Sequence, residues 1–192
     1  MPVTQVSICN LALIEVGADL ISSISQDTKS ARLLNAIWDQ SRDQVLHDHR
    51  WKFAEKRDVL APTGTAPEFG YAYAYDIPND CIKIWEVDTD EVLGPDDVEW
   101  KREGNQILTD ESSINVLYVY RHEDYNAWPA TFAEAMALKL AAQIAYGLTQ
   151  SLSLRESLEK KYKEKLALAR SFSSTEGLQQ SFIADEWTNA RR

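Results

Sequence analysis

Three groups of residues carry side chains capable of chemistry. His47, Asp48 and His49 place two imidazoles and a carboxylate side by side, which are donor types that transition metals take. Histidines two apart on a helix point in different directions, and no third ligand follows at a helpful spacing, so no metal site is expected. The second group is acidic: Glu86, Asp88, Asp90, Glu91, Asp96, Asp97 and Glu99 crowd one stretch. On paper it could supply a glycosidase's acid and nucleophile, but that work needs two carboxyls facing each other across a cleft with pKa values held apart. These acids surround Gly94 and Pro95 and read as a solvated loop; an EF-hand fails too, because glycine and oxygen ligands are out of register. Cys9 and Cys81, the two cysteines, lack any ligand spacing and read as ordinary buried thiols. No phosphate-cradling glycine loop, serine-nucleophile elbow or HExxH motif occurs. The expectation is therefore a chain without catalytic residues, cofactor or metal, and not an enzyme.

The elements that would position these groups are organised around residues 30–60. Ala31, Leu34, Trp38, Ser41 and Val45 recur at three- and four-residue steps, while Arg32, Asn35, Asp39 and Asp43 mark the opposite side. That spacing predicts a long half-buried helix, with Asp27 as its N-cap. After Val45 charges alternate with large rings through His49, Arg50, Trp51, Lys52 and Phe53. Rings there should pack while the basic groups stay solvated or paired. Before this run, Val6, Ile8, Leu11, Ala12 and Ile14 give a short first helix, which Gly17 is placed to end in the left-handed conformation. A polar connector over residues 18–26 makes the two helices neighbours.

The period then switches. Pro62, Gly64, Pro67 and Gly70 prevent helix, and Tyr71, Tyr73 and Tyr75 alternate with alanines at period two. Further strands are predicted over 81–87, 98–102, 106–109 and 113–121, with Glu103, Gly104 and Asn105 as a hairpin turn. Ile114, Val116, Tyr118 and Tyr120 share one side of the last strand, which predicts an antiparallel sheet with one covered and one wetter face.

Helix returns at Pro129. Thr131 with Glu134, and later Ser153 with Glu156, have the form of capping boxes. Residues 132–148 are apolar nearly all round, apart from a stripe of Lys139, Gln143 and Tyr146, which predicts a central buried helix. The next helix should cover the core with Leu154, Leu158, Tyr162, Leu166 and Ala169, and carry Glu156–Lys160 and Glu159–Lys163 pairs outside. The last residues lose periodicity but keep Phe182, Ile183 and Trp187. The fold class expected is α+β, mainly α: a helical bundle formed by residues 1–61 and 125–172, an inserted antiparallel β region over 62–124, and an extended C-terminal arm over 173–192.

Charge excludes some functions. A formal net charge of -10 and a pI near 4.8 argue against holding nucleic acid by phosphate neutralisation, which needs a clustered basic face. No run approaches the length needed to cross a bilayer, and the N-terminus lacks the features of a signal peptide, so cytosolic synthesis is expected.

The chain resembles the head-to-tail adaptor (connector) proteins of tailed bacteriophages, the group that includes tail tubular protein A. The landmarks are Asn10-Leu11-Ala12-Leu13 with Gly17; Trp51-Lys52-Phe53-Ala54 with Lys56-Arg57 and Leu60; residues 71–75 leading to Ile77-Pro78-Asn79-Asp80-Cys81; Glu103-Gly104 followed by Leu108-Thr109; the helix from Glu134-Ala135 to Leu148; and Trp187 with Ala190-Arg191. Each is a packing or turn motif, and their order and spacing together carry the resemblance. Arg50 and Lys52 make the second landmark more basic than the family pattern.

The resemblance implies a virion protein, made in the host cytoplasm, that forms a ring, commonly twelvefold, at the head-tail junction. Its partners would be copies of itself, the portal protein and the next tail component, a nozzle or tail completion protein. Double-stranded DNA would pass through without specific binding, and no membrane is involved. Candidate site residues are Arg32, Asp39 and Arg42 for contacts between subunits. Phe182, Ile183, Trp187, Arg191 and Arg192 form the candidate portal-docking arm. Trp187 packing back on its own helices is the alternative for that arm, and a tail-associated cell-wall or polysaccharide hydrolase is the alternative function.

Overall fold

The computed structural model describes residues 3–89 and 98–176. It is a mixed α+β structure with four helices and two small antiparallel sheets among the described residues. Helix α1 spans Gln5–Val16 and ends at Gly17, whose φ of 74° is the left-handed value the sequence predicts. Thr4 caps its start: its hydroxyl accepts from the Ser7 amide while the Ser7 hydroxyl accepts from the Thr4 amide. The connector after α1 is not purely polar, since Ile21 is buried and its backbone exchanges two hydrogen bonds with the Asn10 side chain at 2.9 and 3.0 Å.

Helix α2, Lys29–His47, buries Ala31, Leu34, Trp38, Ser41 and Val45, the predicted face. Its N-cap is Thr28 rather than Asp27; the Thr28 hydroxyl accepts from Ala31 N, and Asp27 instead pairs with Arg32 at 3.2 Å. An N-cap must aim its oxygen at the second or third amide, and Thr28 sits where that geometry is met. Helix α3, Ala130–Thr149, is buried except at Ala130, Glu134, Gln143, Tyr146 and its last residues, with Thr131 and Lys139 half-buried. It contacts α1, α2 and α4. The capping box expected from Thr131 and Glu134 is not made: Pro129 takes the N-cap position without a side-chain bond. Helix α4, Leu152–Thr175, is capped by Ser151, whose hydroxyl accepts from Leu154 N at 3.2 Å, and not by Ser153. It covers the core with Leu158, Tyr162, Leu166 and Ala169 as expected. The expected Glu156–Lys160 and Glu159–Lys163 pairs do not form among the described residues. Glu159 instead accepts from Arg155 at 3.0 Å, while Lys161 and Lys165 reach Glu15 and Glu134. The helix also runs into the residues expected to begin the arm; Ser173 is buried and its hydroxyl accepts from Lys52 N at 3.1 Å.

One sheet has the order β1-β6-β3, from Glu55–Leu60, Ile114–Tyr120 and Cys81–Asp88; the other has the order β2-β5-β4, from Tyr73–Asp76, Gln106–Thr109 and Trp100–Glu103. The β4–β5 hairpin turns at Gly104 and Asn105 as predicted, with Glu103 opposite Gln106 and a Gly104 φ of 57°. Strand β1 was not expected, because its EKRDVL sequence is charged and lacks alternation. It forms because β6 offers it an antiparallel backbone partner, from Glu55 opposite Val119 to Leu60 opposite Ile114. Exposed charges on such an edge discourage further strand pairing.

Strand β6 is covered on both sides, which corrects the expectation of a wetter face. Ile114, Val116 and Tyr118 join Tyr75, Ile77, Val87 and Ile107 in a core between the sheets. Leu117 and Val119 point the other way and are also fully buried, and Val119 belongs to the helical core. One strand thus serves two cores. A charge placed at the centre of α3 should be intolerable, because an unpaired buried carboxylate costs several kcal/mol against a typical domain stability of about 5–15 kcal/mol. Leu140, which is fully buried, tests this: Leu140→Asp is expected to abolish the cooperative thermal transition followed by circular dichroism, and an unchanged melting temperature would refute the placement of α3.

Candidate assembly surfaces

The exposed side of α2 is where the sequence placed contacts between subunits. Arg32 and Asp39 do lie on the surface, with side chains 70% and 79% exposed. Arg42 does not. It is 4% exposed, and its guanidinium meets Asp39 at 3.1 Å, Asp43 at 3.0 Å and Glu123 at 3.3 Å. Asp43 also receives Arg121 at 2.7 Å. Burial alone would raise the Asp43 carboxyl, but hydrogen bonds from Arg121 and Arg42 outweigh it and hold it below the usual carboxylate range. Arg42 is therefore committed inside the chain, fastening α2 to the segment after β6. Arg32 and Asp39 stay on the surface, paired within the chain to Asp27 and Arg42.

The segment after α2 turns through a short 3-10 helix, Lys52–Ala54, and behaves as the alternation of rings and charges requires. Trp51 is 1% exposed and donates its indole N–H to Val45 O at 2.8 Å. Arg50 bonds Glu55 and Glu86, each at 2.5 Å, and Lys52 meets Glu55 at 3.2 Å. Glu86, on β3, therefore has a structural partner in Arg50. Glu99 offers its carbonyl to Thr109 at 2.9 Å, Asp88 ends β3, and the other acids of that stretch lie outside the described residues. Among the described residues no cluster of three or more His, Cys, Asp or Glu could hold a metal. His47 is exposed at the end of α2 and His49 is half-buried against Trp51. Cys9 is buried, which pushes its thiol up to about 12; Cys81 is partly buried and pushed up to about 11. Neither is poised as a nucleophile.

Phe182, Ile183, Trp187, Arg191 and Arg192 lie outside the described residues. Two surfaces escaped sequence reasoning. Phe69 is 89% exposed on the loop between β1 and β2; that loop is tied down by Thr63 N to Ala74 O at 2.7 Å and Ala72 N to the Asp110 carboxylate at 2.8 Å. The flanking Pro67 and Gly70 were read only as helix breakers, although a bare phenylalanine between them is a signal for contact. Leu11 and Ile14 were read as part of a core rhythm, yet both are exposed.

Buried His122 and half-buried His49 make stability depend on pH. Burial lowers the pKa of His122, against an opposing pull from Asp124. Burial also lowers His49, with Arg170 and Lys52 adding to it and Glu55 opposing. The unfolded chain then takes up protons first, so the stability these groups contribute is present above the ordinary histidine pKa and is lost as pH falls through it. Melting temperature should drop between about pH 7 and pH 5, and His122→Phe should flatten that slope; a slope unchanged by the substitution would remove His122 from the account.

No family model matches the chain, and no curated protein matches it significantly.

Proposed function

We propose that the protein is a structural subunit of a tailed bacteriophage, one of a ring of copies that joins the portal vertex of the capsid to the tail and leaves a channel for DNA. The observation that carries this reading is the ordered succession of landmarks from Asn10 to Trp187. Several of them fall at the joints of the fold: Gly17 closes α1, Trp51 anchors the turn out of α2, and Gly104 makes the β4–β5 hairpin. In this reading the helices before and after the sheets act as one bundle, the β region that begins with β1 at Glu55 and runs to residue 124 is inserted in it, and the residues after α4, 177–192, supply an arm that docks on the portal. Neighbouring copies meet through the exposed edge of α2 at Arg32 and Asp39 and through the β region. Charge pairs at such a rim set register more than affinity.

The net charge of -10 suits a channel, because carboxylates repel phosphates and DNA slides without sticking. In this reading the chain acts without catalysis, and Glu86, engaged by Arg50, serves the structure.

The full chain, purified alone and mixed with its portal protein, should give rings with a central opening in electron micrographs and show no turnover of peptidoglycan or polysaccharide. Arg32→Glu and Asp39→Lys, each at an exposed position, should each weaken ring formation by about tenfold or less, as rim charges do. A chain that stays monomeric and ignores the portal, or that hydrolyses a wall polymer, would overturn the proposal.

A further inference from the structure

Four of the large apolar side chains left exposed among the described residues gather on one side of the molecule: Leu11 and Ile14 on α1, Leu168 and Phe172 on α4. Leu11, Ile14 and Leu168 line a groove, and Phe172 lies about one helical turn beyond Leu168 toward the end of α4. Leu11, Ile14, Ala137 and Leu138 line a depression of about 300 Å³, and Leu138, Leu168 and Glu164 line a second of about 320 Å³. Glu15, Leu138 and Lys165 belong to both, so the two are one groove running between α1, α3 and α4. Two ion pairs cross it, Lys161 to Glu15 and Lys165 to Glu134, both at 2.9 Å. Their lysine stems add apolar wall below the charged heads. Lys161, Lys165, Leu168 and Phe172 follow one another at three- and four-residue steps, so the groove and the apolar stripe share one face of α4. Such a contiguous strip marks a surface that something covers.

We infer that the groove seats the C-terminal segment of the same chain, residues 177–192, through Phe182, Ile183 and Trp187. That segment follows α4, the helix that forms one wall of the groove, and carries three large apolar residues in a sequence otherwise rich in polar ones. Reach is sufficient. Going back from Glu176 to the level of Leu168 is about 12 Å along a helix, and to Lys161 about 22 Å. Six residues from Glu176 to Phe182 span up to about 20 Å extended, and eleven to Trp187 about 36 Å. Phe182 and Ile183 can then lie by Leu168 while Trp187 lies by Ile14. Charge agrees as well: Glu164 at the rim makes no ion pair among the described residues, and Arg191 and Arg192 end the segment. A groove of about 300 Å³ in each of its two parts suits a peptide better than the broad patch a stable dimer buries. Docking of the arm on a portal would exchange this seat for another, but the inference does not rest on that step.

The test is photo-crosslinking in the full chain carrying Trp187→p-benzoylphenylalanine, with adducts mapped by mass spectrometry of proteolytic fragments. The result expected is adducts within single chains on peptides containing Ile14 or Leu168, with yield falling about tenfold or more in the added presence of Ile14→Asp, which places a charge in the seat. Ile14 is 60% exposed, so this change leaves the fold intact; Leu168→Asp, at a residue 53% exposed, serves as the second variant. Adducts on either sheet, adducts joining two chains, or yields indifferent to both variants would overturn the inference. No portal and no ring enter the measurement, so its failure and that of the assembly reading are separately visible.

Discussion

A continuous chain of aromatic contacts holds the helices to the sheets, and most other features of the structure depend on it. Trp38 of α2 stacks on Trp128 with ring centroids 6.4 Å apart, and Trp128 meets Phe132 of α3 edge-on at 4.8 Å. Phe132 touches both Trp51 and Phe53 at 4.8 Å, and Phe53 passes the contact to His122, which lies against Tyr120 at the end of β6. Edge-to-face pairs add about 0.5–1.5 kcal/mol each beyond the area they bury. The geometry matters more than the sum, because each ring fixes the angle of the next. The indole of Trp128 also donates to His122 O at 3.3 Å, tying the end of the sheet to the start of α3. Strand β6, already covered on both faces, cannot shift without moving α2 and α3.

Charges reinforce the same junction. Arg42 and Arg121 converge on Asp43, and Arg50 links Glu55 of β1 to Glu86 of β3. Removing one partner of such a network leaves the others desolvated and unpaired, which is costly even where the intact network contributes little net stability.

How much of this could be read from the residues depends on the range of the interaction. The buried faces of α2, α3 and α4 were legible, because local periodicity alone fixes which side of a helix is apolar. The cap residues were misplaced by one or two positions, since Asp27, Thr28, Ser151 and Ser153 are all competent and only the backbone geometry selects among them. Strand β1 was hidden, as its pairing comes from β6 more than fifty residues away along the chain. The two-sided burial of β6 had a signal in the unbroken apolar run Val116-Leu117-Tyr118-Val119, which argues for cover on both faces. The alternation of Ile114, Val116, Tyr118 and Tyr120 masked it. In the candidate assembly surface, exposure of Arg32 and Asp39 followed from helix phase. Burial of Arg42 did not, because Asp43 and Glu123 enclose it only once Arg121, 78 positions from Asp43, is in place. Helix α1 is apolar on nearly every side, so its sequence gave no means of telling buried Ile8 and Leu13 from exposed Leu11 and Ile14.

The central claim is that the aromatic chain makes two cores into one cooperative unit. Native-state hydrogen exchange on the intact chain and on Phe132→Ala tests it directly, because the substitution removes the ring shared by the helical and sheet-side contacts at an expected cost of about 3–5 kcal/mol. Amides of α3 and of β6 should lose the same amount of protection, as parts of one unfolding unit. Full retention of protection in β6 while α3 loses it would contradict the claim, and would mean that the sheets stand without the helices.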